Sequence, residues 1–215
     1  MKIELKEIGG LPALKYAKKF DDENFIFCLQ YEPQVRTLIS QSWTGMGQGS
    51  GHAVGSKNTI RLSFPYLVFV IRFVGRKYDR AAMAVTNEPI TSINDHVYRL
   101  PLSNIYKDPI SMGLCMMPDE CKAESITDRI KEVVTAFWST SFTGHTPHTQ
   151  HPRPPQVGNL DIWKENTRKD PSFITKISWQ KPVKTGLKLG TLARLVSTSS
   201  KYNSEPLRTS FYRLP

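Results

Sequence analysis

Polar and apolar residues alternate with a period of two through much of the first hundred residues, the spacing of a half-buried strand. "KIELKEI" (2–8) predicts one strand, closed by Gly9, Gly10 and Pro12. "NFIFCLQY" (24–31) predicts a second, rich in aromatic and β-branched residues, and "VRTLISQSW" (35–43) a third. The glycine-rich "TGMGQGSGHAVGSKN" (44–58) has nothing to pack and predicts a loop. "TIRLSFPYLVFVIRFVG" (59–75) carries the strongest β signal. It is long enough for two strands divided at Pro65, because proline cannot donate to a sheet ladder. "GRKYDR" then predicts a turn, with "RAAMAVTNEPI" (80–90) and "DHVYRLPL" (95–102) as further strands of an antiparallel meander.

The period changes after residue 124. Ile126, Ile130, Val133, Val134, Phe137 and Trp138 recur at helical spacing, with Ser125 as N-cap and Asp128 three residues on. An amphipathic helix packed on an antiparallel meander gives an α+β core over 1–142. "TGHTPHTQHPRPPQVG" (143–158) interrupts the pattern with prolines and histidines and predicts a linker. Residues 159–215 then read as an irregular basic C-terminal extension. Within it, "SFITKISWQKPV" predicts a strand and "TGLKLGTLARLV" a strand or a short helix. Trp163 and Trp179 are candidate core residues.

Charge sharpens this division. The chain carries a formal net charge of +10. Residues 151–215 hold twelve Lys/Arg against four Asp/Glu, whereas residues 1–150 are nearly neutral. Such a surplus favours acidic partners. Cations and rings interleave here, with Lys164, Arg168, Lys169, Lys181, Lys184, Lys188 and Arg194 as candidates for a partner or nucleic-acid surface. No helix-turn-helix, RNP-type or finger spacing accompanies them, so any nucleic-acid contact is expected to be weak and non-specific. The apolar run 66–74 is interrupted by Arg72 and is too short for a membrane helix. The N-terminal residues lack the apolar core of a signal peptide. A cytoplasmic protein is expected, or a virion component if a phage encodes it.

Three cysteines without regular spacing, Cys28, Cys115 and Cys121, fit neither a disulfide framework nor a zinc site. Cys28 sits among apolar neighbours and reads as an inert core thiol. Cys115 differs. It follows a glycine in "SNIYKDPISMGLC" (103–115), beyond a proline-containing turn. An amide such as that of Asn104, folded over an exposed thiolate, is suited to stabilise a developing oxyanion.

The meander, then "PLSNIYKDPISMGLC", then the helix, resembles the ubiquitin-conjugating-enzyme family. It is more similar to that family's prokaryotic relatives, including the B proteins of PRTRC plasmid and phage systems. The residues that carry the likeness are Pro101-Leu102-Ser103-Asn104-Ile105-Tyr106, Gly113-Leu114-Cys115, and Phe137-Trp138-Ser139 with Phe142. The resemblance as a whole, meander included, covers about 60–142. The resemblance implies a thioester-forming Cys115, an oxyanion-stabilising Asn104 and a loop-packing Tyr106. Leu102 and Ser103 replace the family's His and Pro, and Asn104 lies farther from Cys115 than the family pattern has it. A degenerate, non-catalytic derivative is therefore the second form of the same reading.

His145, His148 and His151 recur every third residue and are weak metal candidates, without a flanking carboxylate or thiol. No cofactor is called for. Two functions are expected in competition. One is thioester transfer with a modifier-like protein partner, in a phage- or plasmid-encoded protein. The other is a structural or assembly role in which basic arms hold partners or nucleic acid.

Overall fold

A computed structural model describes residues 12–20, 24–41, 57–100, 102, 120–143, 154–179, 187–198 and 212–213. Its strands are β1 (Ala13–Lys19), β2 (Asn24–Tyr31), β3 (Gln34–Gln41), β4 (Lys57–Phe64), β5 (Tyr66–Val74), β6 (Lys77–Thr86), β7 (Ser141–Thr143) and β8 (Tyr212–Arg213). Its α-helices are α1 (Ile126–Ser139), α2 (Leu160–Lys169) and α3 (Leu189–Thr198). The class is α+β, with sheets that are antiparallel apart from the short parallel pairing of β7 with β3.

One sheet runs β6-β5-β2-β1-β8 and the other β4-β3-β7. They share a single long hairpin. β2 pairs with β5 from Asn24↔Val74 to Tyr31↔Leu67. β3 pairs with β4 from Gln34↔Phe64 to Gln41↔Lys57 in the same register. The chain thus makes one bent antiparallel meander, β1, β2–β3, β4–β5, β6. The β5–β6 connection is the two-residue loop Gly75-Arg76, and Gly75 takes φ 58° at its first position, where such a loop favours glycine. Lys77–Arg80, expected in that turn, already belong to β6.

The five-stranded sheet is covered on both faces, so every residue of β2 is buried. One face presents Phe25, Phe27, Leu29, Phe69, Ile71 and Phe73 to Leu38, Leu62 and Phe64 of the second sheet. Ile130, Val133, Val134 and Phe137 of α1 and Trp163 of α2 complete that core. The other face presents Ile26, Cys28, Val68, Val70, Ala82 and Ala84 to Leu189, Leu192, Ala193 and Val196 of α3.

Several expectations need correction. "DHVYRLPL" is not a strand; it makes only isolated bridges, Val85↔Tyr98 and His96↔Lys188. The described part of "SFITKISWQKPV", residues 172–179, is not a strand either. Asp170 accepts from the Ser172 N–H at 2.8 Å, and Pro171 opens a 3₁₀ helix over Pro171–Lys176. "TGLKLGTLARLV" resolves as α3. The described part of 159–215 is not irregular: Trp163, Ile174, Ile177 and Trp179 join one core and Leu189, Leu192 and Val196 the other. β1 has no counterpart among the expected strands. "KIELKEI" lies outside the described residues, as does 44–58 except Lys57 and Asn58, which begin β4.

Candidate functional site

Asn104, Tyr106 and Cys115 lie outside the described residues, and so do His145, His148, His151, Lys181 and Lys184. The structure does describe what holds the flanks of 103–119. On the N-terminal side, Val85 and Tyr98 exchange two backbone hydrogen bonds of 2.8 Å, and Leu100 and Leu102 are buried in the larger core. On the C-terminal side, Glu120 bridges Lys77, and the Cys121 N–H donates to the Arg76 carbonyl at 2.9 Å.

Helix α1 clamps this second flank. Its Arg129 guanidinium donates to the carbonyls of Gly75 (2.8 Å), Ala123 (3.1 Å) and Glu124 (2.6 Å). Its Glu132 carboxylate accepts the N–H groups of Lys122 (2.9 Å) and Ala123 (2.8 Å). Arg76 donates to the Lys122 carbonyl from the hairpin turn. Bonds to charged groups of this kind are the stronger class. They fix 120–124 to both the β5–β6 turn and α1. The helix is itself set by Ser125, whose hydroxyl accepts from the Asp128 N–H at 3.1 Å.

The two described thiols are poorly suited to react. Burial pushes the Cys28 thiol up to about 12. Burial, and then the neighbouring Glu132 carboxylate, push the Cys121 thiol up to about 11. Thiolate, the nucleophilic form, is scarce at neutral pH in both. A small apolar cavity between β1 and α3 is lined by Tyr16, Ile26, Cys28, Leu189 and Ala193. Among the described residues no group of His, Cys, Asp and Glu is placed to hold a metal ion.

The stretch from Phe137 to Phe142 is built into the core. Phe137 and Phe142 are fully buried. The Trp138 ring carries Arg36, whose guanidinium lies 4.4 Å from it and 4.3 Å from the Tyr31 ring. A cation held between two rings is a favourable packing unit. Desolvation lowers the Arg36 pKa, and Tyr31 opposes that shift.

The basic candidates on α2 are partly neutralised on their own helix. Arg168 makes two hydrogen bonds to Glu165, of 2.9 and 2.8 Å, and Lys169 lies 3.5 Å from the same carboxylate. Arg168, then Lys169, hold the Glu165 carboxyl down near about 2. Lys164, Lys188 and Arg194 are exposed. A different basic element escaped the sequence reading. No acidic residue occurs between Glu32 and Asp79, so the β3–β4 hairpin carries only cations. The signal lies in the order of charges along the chain, masked in the overall balance by the larger C-terminal surplus.

Comparison with family models, with curated proteins and with solved structures yields no match. No helix among the described residues is long and apolar enough to cross a membrane.

Proposed function

We propose that this chain is a ubiquitin-conjugating-like protein that carries an acyl group on Cys115 and passes it to an acceptor. In the first step the Cys115 thiolate attacks the carbonyl carbon of an incoming thioester. A new S–C bond forms, and the donor's thiolate leaves. In the second step an acceptor amine attacks that carbonyl, the N–C bond forms, Cys115 leaves as thiolate, and the amine proton passes to solvent. No oxidant or reductant is needed. The Asn104 amide serves both steps by donating to the oxyanion.

One observation carries this reading. The segment bearing Asn104 and Cys115 is flanked by residues tied to the five-stranded sheet, Tyr98 to Leu102 on one side and Glu120 to Ala123 on the other. An antiparallel meander, a segment anchored at both flanks and an amphipathic helix follow one another in the order that the family resemblance calls for. Cys28 and Cys121 are raised above the neutral range, so the role falls to Cys115.

A synthetic peptidyl thioester ending in glycine tests the proposal. The expected product is a thiol-labile adduct on the intact protein, absent from Cys115→Ala and formed more slowly by Asn104→Ala. An adduct that persists in Cys115→Ala, or none on the native protein, overturns it.

A further inference from the structure

We infer that the outer edge of β4 is a docking site for an extended acidic peptide segment of a partner protein, which adds to it as a new strand. β4 is the edge strand of the β4-β3-β7 sheet. Ser63 shows which way its backbone points. The Ser63 N–H donates to the Thr167 hydroxyl at 3.0 Å, and its carbonyl accepts from the Trp163 indole at 2.9 Å. Both groups therefore face away from β3. In an antiparallel pair this direction alternates, so the backbone groups of Arg61, Thr59 and Lys57 face outward as well.

Helix α2 thus supplies side chains where a neighbouring strand would supply its backbone, and it does so at Ser63. Beyond Ser63, the outward N–H and carbonyl groups of Thr59 and Arg61 have no hydrogen-bond partner among the described residues. The side chains of Lys57, Asn58, Thr59 and Arg61 are exposed, while Ile60 and Leu62 hold the strand on the core. The edge is anchored, extended and, among the described residues, unpaired, which is the condition for strand addition.

Charge selects the occupant. Lys57 and Arg61 flank Thr59 on the solvent face, and neither forms an ion pair with an acid among the described residues. Pairing two copies about Thr59 would set Lys57 of one against Arg61 of the other, and like charges directly opposite are destabilising. A strand with Glu or Asp at alternate positions meets both cations across the new ladder instead. The inference does not depend on Cys115.

The test uses the full chain and an alternating Glu/Val peptide, with its Lys/Val counterpart and a short DNA duplex as comparison probes. Amide exchange at Thr59 and Arg61 is expected to be fast in the free protein and slowed by the acidic peptide alone. Thr59→Pro removes an outward N–H at an edge position that tolerates proline. It is expected to weaken acidic-peptide binding by roughly tenfold, the loss of about one well-made ladder contact, with an unchanged melting temperature. If Thr59→Pro disturbs the fold, Lys57→Glu with Arg61→Glu provides the second variant, and preference is expected to switch to the basic peptide. Slow exchange at Thr59 and Arg61 before any peptide is added overturns the inference. So does DNA binding without acidic-peptide binding, or no response to the acidic peptide. The same measurement on Cys115→Ala is expected to be unchanged, which separates this site from the thiol chemistry.

Discussion

Pro33 and Pro65 lie opposite each other in the long hairpin, between the pairs Tyr31↔Leu67 and Gln34↔Phe64. The pairing stops on both strands between those pairs, where the proline rings hold φ near about −65°, away from the roughly −140° of an antiparallel strand. That is where the hairpin leaves the five-stranded sheet and continues as the second one. One bend between facing prolines lets a single hairpin supply two sheets that share a core.

Replacing Pro33 by Ala frees the unfolded chain at a place where the fold needs a fixed φ. Stability is expected to fall by about 0.4–1 kcal/mol, read as a lower urea midpoint with an unchanged m-value. A higher midpoint would contradict the role given to the paired prolines.

Arg72 and Asp79 form a fully buried ion pair, Nε to Oδ2 at 3.2 Å. The β5–β6 register shifts between Arg72 and Phe73, so that Arg72 pairs with Arg80 and Phe73 with Tyr78. Asp79 is the extra residue of that bulge, which turns it to the face of Arg72. Arg72 also donates to the Ser197 carbonyl and so fastens the end of α3. Asp79→Ala leaves a buried guanidinium without its counter-charge, and a loss of about 3–5 kcal/mol is expected in chemical denaturation. Arg72→Met with Asp79→Ala is expected to recover much of that loss.

Alkali is expected to act through Cys28. Its thiol rises from about 9 to about 12 in the fold. Above pH 9 the unfolded chain loses this proton and the folded chain keeps it, so folding costs more as pH rises. Stability is therefore full below about pH 9 and declines toward pH 12, by roughly 1.4 kcal/mol per pH unit from this group. Cys28→Ala is expected to lower stability at neutral pH and to flatten this alkaline slope. An unchanged slope would mean that the thiol ionises in place.

Trp163 is fully buried in α2 and donates to the Ser63 carbonyl. Trp163→Phe keeps most of the ring volume and removes the donor. A cost of about 1–3 kcal/mol is expected for the unsatisfied buried carbonyl, with the loss visible in thermal unfolding. Thr167→Val is expected to act similarly through the Ser63 N–H, which donates to Thr167.

Much of this fold was legible where one period holds without interruption. β2, the division at Pro65 and α1 with its Ser125 cap follow directly from the residue pattern. β1 was hidden because its register shifts between Leu14 and Tyr16, which breaks the alternation. Lys18 hides it further: a buried lysine reads as a solvent position, yet its ammonium lies 4.8 Å from the Phe20 ring. Around Pro171 local chemistry outweighed propensity, because the Asp170 carboxylate caps a 3₁₀ turn in a stretch of β-forming residues. Residues 159–215 read as a tail because their cations dominate the composition, although Trp163, Trp179 and Leu192 are core. The site was legible only as motif. Asn104 and Cys115 lie outside the described residues, while the reach of Arg129 to the Gly75 carbonyl joins residues distant in sequence and leaves no local pattern.

The central claim rests on the reactivity of Cys115, and alkylation of the native protein across pH, mapped by mass spectrometry, measures it most directly. Cys28 and Cys121 serve as internal controls, because both are buried and raised well above the neutral range. The expected result is rapid labelling of Cys115 at neutral pH, with an apparent pKa below that of a free thiol, while both controls stay slow. Labelling of Cys115 as slow as that of the controls would contradict the account.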